Sequence, residues 1–210
     1  FNCYYISTSH LSDAQIGNIV DYWRIRKDKI IRGNPSALYV FAQYILKTGI
    51  NDLSPLAVTT TGEILFPHFR SKIESAFNCK VFDSYCGEGG SLVSQCPKSS
   101  YHLSSEYAIT EFIDEEGDNV KSGKASVVST DLWNYAVPFI RYEVGDTVTL
   151  NESKCRCNRV NCGKIQTIDG RHGDVILTPS GKLITLPFFA GFFKNYEMIS
   201  KFQIIQNKEG

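Results

Sequence analysis

The feature that most constrains this 210-residue chain is a change of rhythm near Gly90. Before it, apolar residues recur at helical spacing between short apolar runs. From Ser12 to Lys29, Ile16, Ile19, Val20 and Trp23 mark one face of a helix, with Ser12 placed to cap it. Gly33-Asn34-Pro35 breaks that pattern, and Pro35 to Lys47 predicts a second helix on Leu38, Phe41, Ala42 and Ile45, ending at Gly49. The run PLAVTTTGE then predicts a short buried strand, HFRSKIESAF a third helix and CKVFDSY a second strand. Strands alternating with helices require a parallel sheet covered on both faces.

After Gly90 the segments YAITEFID, KASVVST, FIRYEVGDTVTL and KIQTIDG are short, β-rich and separated by Gly, Asp and Asn. They predict a small antiparallel sheet or barrel. Further on, VILTPSGKLI reads as a hairpin about Ser180-Gly181, FFAGFFKNYEMI as an apolar helix and KFQIIQN as a strand. The expected fold class is α/β: half of a parallel-sheet α/β subdomain, then the antiparallel sheet or barrel, then the start of a small α+β C-terminal domain. The corresponding boundaries are 1–91, 92–171 and 172–210.

Composition narrows the function. Twenty-two basic and twenty-two acidic residues leave no net charge, which removes the electrostatic footprint of a non-specific nucleic-acid binder. No apolar run approaches the roughly 20 residues that span a membrane. The start, FNCYYISTSH, has neither an initiator methionine nor the make-up of a signal peptide, so the chain reads as a piece of something longer. Seven cysteines, an odd number in a chain too long to need stapling, point to a reducing, cytoplasmic setting. Three of them crowd into KCRCNRVNCG, Lys154 to Gly163. Metal is the leading explanation for that cluster, although three sulfurs do not complete a tetrahedral site.

Four loops carry candidate chemistry. In TTTGE, Thr59 to Glu63, hydroxyls and a glycine close a strand at the end where α/β sheets collect ligands; a capped turn explains them equally. DSYCGEGG follows the next strand, and its Glu88 could meet a magnesium ion on phosphates, or be a solvated acid in a glycine turn. FIRYEVGD ends a strand on Asp146, a residue type that accepts hydrogen bonds from ribose hydroxyls. DGRHGD offers Arg171 as a charged fork for phosphate or ribose. An acid-ended hairpin and a surface arginine would account for the last two without function.

The order of these pieces is more specific than any one of them. TTTGE, a glycine-rich loop with a glutamate, RYEVGD, then GR and GKL together resemble the adenylate-forming enzymes. The resemblance is to the phenylacetate–coenzyme A ligase branch and its capsular-polysaccharide-biosynthesis (CapK-like) relatives, and GNPSALYVFAQYI resembles a segment of that branch. It implies a ligase that uses ATP to convert a carboxylate to acyl-AMP, with coenzyme A as one candidate acceptor. It places Thr61, Gly62 and Glu63 beside the adenine and acyl pocket, and Asp83, Ser84 and Tyr85 on the adenine side. Glu88 becomes the catalytic, Mg2+-associated glutamate, Asp146 the holder of the ribose hydroxyls and Arg171 a nucleotide contact at the start of a hinge. The implied partners are a small carboxylic acid and a nucleotide; a homodimer stays open.

The same resemblance implies a structural Zn2+ held by Cys96, His102, Cys155 and Cys157, with Cys162 as a substitute ligand. The family's Ser/Thr/Gly-rich phosphate loop and its late lysine are missing, as expected for a piece of a protein about twice as long. A module of the same fold that keeps the zinc and binds without turnover is the alternative.

Overall fold

The computed structural model describes residues 3–7, 11–26, 30–87, 90–151, 155–157, 159, 165–171, 175–179, 183–185, 189, 193, 196, 198–199 and 202–207. The chain divides into two compact units, Phe1–Ser84 and Tyr85–Gly210.

In the first unit α1 spans Asp13–Arg26. Ser12 and Gln15 open it reciprocally: the Gln15 N–H donates to the Ser12 hydroxyl at 3.3 Å, and the Ser12 N–H donates to Gln15 Oε1 at 3.0 Å. That pairing satisfies two donors which a helix start leaves bare. Strand β1, Ile30–Gly33, follows, where sequence periodicity extends the helix to Lys29 and then breaks. Residues 27–29 lie outside the described set. Four residues of mixed character, IIRG, are too short to show an alternation against the preceding helix. Helix α2, Pro35–Thr48, begins on a proline whose missing N–H costs nothing there, and ends at Gly49 with φ of 70°. Strand β2 is Ala57–Thr60, helix α3 is Pro67–Phe77 and β3 is Val81–Gly87.

The three strands are parallel, with Ile31 opposite Val58 and Val58 opposite Val81. Ile16, Val20, Phe41, Ile45, Val58, Ile73 and Phe77 form the buried core. Phe77 lies at its centre, with the rings of Trp23 and Phe41 against it.

The second unit is antiparallel. Strands β4, Gly90–Gln95, and β5, Tyr101–Leu103, form a hairpin that the sequence pattern does not reveal. Strands β6 (Ala108–Ile113), β7 (Gly123–Asp131), β8 (Tyr142–Leu150) and β9 (Ile165–Arg171) form a four-stranded meander in chain order. Leu92, Val93, Phe112, Val127, Val148 and Ile165 build its core. Strands β10, Val175–Leu177, and β11, Leu183–Thr185, pair antiparallel as the hairpin pattern predicts; its Ser180-Gly181 turn lies outside the described residues. Most of FFAGFFKNYEMI lies outside them too.

Two expectations need correction. KFQIIQN is expected as a strand, but residues 202–207 have no regular structure: alternation does not make a strand without a neighbour to pair with. The DSYCGEGG stretch is not a loop throughout, because β3 continues to Gly87 and β4 starts at Gly90. Among the described residues no helix is long and apolar enough to cross a membrane.

Candidate functional site

In the first unit the ends of β2 and β3 place their polar residues side by side. Thr60 is fully buried, and its hydroxyl donates to Oδ1 of Asp83, itself only 4% exposed. A buried carboxylate needs such a donor. Beyond Thr60 the chain turns through Thr61 and Gly62, the latter at φ 79°, a conformation that suits glycine. The turn presents Glu63 to the start of α2, where its carboxylate accepts from the Ser36 N–H at 2.9 Å and the Ser36 hydroxyl at 2.8 Å. Asn34, the residue at the cap, makes no side-chain bond there. Glu63 therefore supplies the negative charge that a helix N-terminus favours. Ser36 is a partner that the sequence reading missed; its place just after a helix-opening proline was the available signal.

In the second unit the Tyr85 hydroxyl donates to Oδ2 of Asp146 at 2.8 Å. Tyr85 is buried, so its ring is fixed and the bond orients the carboxylate. Gly145, at φ 82°, precedes Asp146 in β8. Register then sets Arg171 of β9 directly opposite Asp146. Two of the expected nucleotide residues thus stand opposite each other on one strand pair, and a third, Tyr85 of β3, bonds to one of them. Ser84 is half-buried at the close of the first unit, and Glu88 lies outside the described residues.

The four expected metal ligands converge. Cys96 ends the β4 arm of the hairpin, and the turn CPKSS brings the chain back to His102 in β5. That turn is tight: the Cys96 N–H donates to Ser100 O at 2.9 Å and the Ser99 N–H to Cys96 O at 2.8 Å. The Lys98 N–H donates to Cys96 Sγ at 3.3 Å. Cys155 and Cys157 come from the segment between β8 and β9. The four ligand atoms lie within 4.8 Å of one another.

Cys96 Sγ and Cys155 Sγ are 3.6 Å apart, and Cys157 Sγ is 3.3 Å from His102 Nε2. A disulfide is therefore not formed, since S–S bonds are about 2.05 Å. A tetrahedron of Zn–S bonds near 2.3 Å has edges of about 3.8 Å, close to the spacing seen. Cys96 and His102 are buried, and His102 Nδ1 has no hydrogen-bond partner, so Nε2 is the ring's polar engagement. The Ser100 hydroxyl, then His102 and the neighbouring thiols, hold Cys155 down to about 6 from an ordinary 9.0, against an opposing push from burial. Cys157 moves the other way: the Arg159 backbone favours its thiolate, but burial and the sulfurs of Cys155 and Cys96 together raise it. Soft donors in a closed set of four suit a structural Zn2+ and leave no position for a reacting water. Ser100 is the contributor that spacing did not flag. Cys162 lies outside the described residues.

No family model matches the chain. In sequence it is similar to the protein CapK of Staphylococcus aureus, 24% identical over 183 residues that cover 86% of this chain and 39% of CapK. It is also similar to a phenylacetate–coenzyme A ligase of Thermus thermophilus, 23% identical over 209 residues, or 95% of this chain and 46% of that enzyme. The chain thus spans under half the length of these curated relatives. In structure it is similar to 2-hydroxyisobutyryl-CoA ligase in complex with 2-HIB-AMP, with a TM-score of 0.74 at 20% identity over 89% of this chain and 42% of that one. The anthranilate CoA ligase AuaEII in complex with anthranoyl-AMP gives a TM-score of 0.61 at 12% identity, over 89% and 38%.

The fold is that of the adenylate-forming ligases. Within that class, the sequence resembles more particularly the branch that holds CapK and phenylacetate–coenzyme A ligase.

Proposed function

We propose that the chain is part of an ATP-dependent ligase that activates a carboxylic acid as acyl-AMP and passes the acyl group to coenzyme A. The observation that carries this reading is the Asp146 carboxylate, oriented by Tyr85 and faced across the strand pair by Arg171. Support comes from relatives and neighbours that include coenzyme A ligases, two of them in complex with acyl-AMP.

In the reaction, a carboxylate oxygen attacks the α-phosphorus of ATP, an O–P bond forms, and pyrophosphate leaves with the bonding pair. The thiolate of coenzyme A then attacks the acyl carbon and AMP leaves. Neither step needs a protein nucleophile, so the chain's work is positioning and charge stabilisation.

A carboxylate has about four acceptor sites, and the Tyr85 hydroxyl occupies one. Asp146 is the residue proposed to accept from the ribose hydroxyls, with Arg171 as a cation for the nucleotide. Asp83, Ser84 and Tyr85 are the residues proposed for the adenine side, and Thr61, Gly62 and Glu63 those proposed beside the adenine and acyl pocket. Glu88 is the proposed residue for Mg2+ on the phosphates. Cys96, His102, Cys155 and Cys157 would hold Zn2+, which supplies a rigid clip and takes no part in acyl transfer. Because the chain spans under half of its relatives, the 210 residues alone are proposed not to turn over.

The test is titration calorimetry with AMP. The chain should bind AMP weakly, and Asp146→Ala should weaken it by roughly tenfold, the loss of one charged hydrogen-bonding group. Unchanged affinity in that variant removes Asp146 from the nucleotide site. No ATP–pyrophosphate exchange by the full-length protein with any of a panel of aryl, fatty and amino acids would sink the ligase reading.

A further inference from the structure

Strands β8 and β9 do not keep one register. Leu150 stands opposite Ile165, Thr149 opposite Thr167 and Val148 opposite Ile168, yet Thr147 stands opposite Gly170 and Asp146 opposite Arg171. Between Val148 and Thr147, β8 moves by a single residue while β9 moves by two. Asp169 is the extra residue, and the site is a β-bulge. Gly170 beside it has φ of 106°, which few other residues adopt.

The consequence is geometric. Had the pairing of Val148 with Ile168 continued unshifted, Arg171 would face Gly145 and not Asp146. Successive residues of a strand alternate between faces, so the shift also decides whether residues 146 and 171 share a face.

The extra residue is not loose. The Thr149 hydroxyl donates to Asp169 Oδ2 at 2.7 Å, and the Thr167 hydroxyl donates to Oδ1 at 2.7 Å. These two threonines are themselves a directly opposed pair across the strands. Both oxygens of one carboxylate are thus engaged by hydroxyls from the two strands whose register is in question, and bonds to an ionised acceptor are the stronger kind. A threonine pair on a sheet surface is ordinary; its convergence on the bulged residue is what ties it to register.

We propose that Asp169 is a positioning residue: gripped by Thr149 and Thr167, it holds the bulge that sets Arg171 opposite Asp146. Its importance for nucleotide binding rests on the function proposed above, whereas its control of register does not.

The experiment uses the isotope-labelled chain and two readouts. Cross-strand NOEs report whether residue 171 neighbours 146 or 145, and calorimetry reports affinity for AMP. Asp169→Ala should lose the 146–171 NOEs in favour of 145–171 contacts and weaken AMP binding by roughly tenfold. Asp169→Asn keeps a carbonyl acceptor for one hydroxyl and should recover the wild-type NOE pattern and most of the affinity. Should Asp169→Ala not fold, the double variant Thr149→Val, Thr167→Val removes the grip while keeping two branched strand formers, and should shift the NOEs in the same way. Wild-type NOEs between 146 and 171 in either ungripped variant overturn the proposal. So does a loss of affinity that Asp169→Asn shares in full. If the wild-type chain binds no AMP, the ligase reading fails, while the NOEs still decide the role of Asp169.

Discussion

The Cys/His cluster and the Asp146 strand pair contrast within one unit of the chain. At the cluster, four side chains from distant parts of the sequence bring their donor atoms to spacings that already match an ion's coordination shell. At Asp146, the Tyr85 hydroxyl and a backbone register define the place. The first arrangement is closed and its chemistry is complete in these residues. The second, in the function proposed above, is a substrate site whose energy comes only with the ligand. A closed site should therefore dominate stability and an open one should dominate binding.

The largest expected effect tests the closed site. Purified protein should carry about one zinc per chain, and Cys96→Ser or prolonged chelation should remove it. Because folding and metal binding are coupled, the loss should cost several kcal/mol and lower the melting temperature by ten degrees or so. Elemental analysis and calorimetry check both. Unchanged metal content and melting in Cys96→Ser would make the convergence of four ligands an accident of packing.

Next in size is a variant that should spare the zinc. Phe77 is fully buried among Trp23 and Phe41 in the first unit, so Phe77→Ala leaves a large cavity and should cost about 3–5 kcal/mol. Zinc content should stay at the wild-type level, since the ligands belong to the other unit. Metal loss equal to that of Cys96→Ser would show that the two units do not keep separate accounts of stability.

How far the sequence disclosed this arrangement follows from the same contrast. The helices α2 and α3 and the strands β2, β3 and β6 to β9 were legible because apolar spacing and Gly, Pro and Asn punctuation coincide with their ends. Strand β1 was not, because IIRG is shorter than one clear alternation and follows directly on a helical pattern. Strands β4 and β5 were missed because their residues read as polar spacer; the hairpin is held by the turn at Cys96–Ser100. KFQIIQN shows the converse, good alternation with no partner strand among the described residues. The ligand set came from resemblance, since Cys96 and Cys155 stand 59 residues apart and no spacing rule joins them. The bulge at Asp169 was out of reach, because register is a property of two strands together.

A smaller effect probes the open site. Tyr85→Phe removes one hydroxyl from the Asp146 carboxylate while the buried ring keeps its place. A hydrogen bond to a charged group is worth about 1.5–3 kcal/mol, and only the orienting share of it reaches the ligand, so AMP affinity should fall by roughly two- to tenfold with zinc content unaltered. An affinity equal to wild type would mean that Asp146 needs no orienting partner.

The smallest effect is a pH dependence of the metal-free protein, and its sign distinguishes the two regions again. Cys155 is held at about 6 in the folded chain, below an ordinary 9.0, with the Ser100 hydroxyl as the main cause. A group whose folded value is depressed stabilises the fold where it is charged in both states. That contribution is present in full above about 9 and is lost as pH falls through about 6. Cys155 is only half-buried, so screening keeps the stability change slight, and the sharper readout is reactivity. Thiolate is the nucleophile, so alkylation of Cys155 by iodoacetamide should stay fast from pH 8 down to about 6 and fall below it. Ser100→Ala should move that fall toward higher pH, whereas Tyr85→Phe should leave it in place. An alkylation rate that drops already near pH 9 in the wild type would mean that Ser100 does not hold the thiolate, and that the cluster acquires its charge only when metal binds.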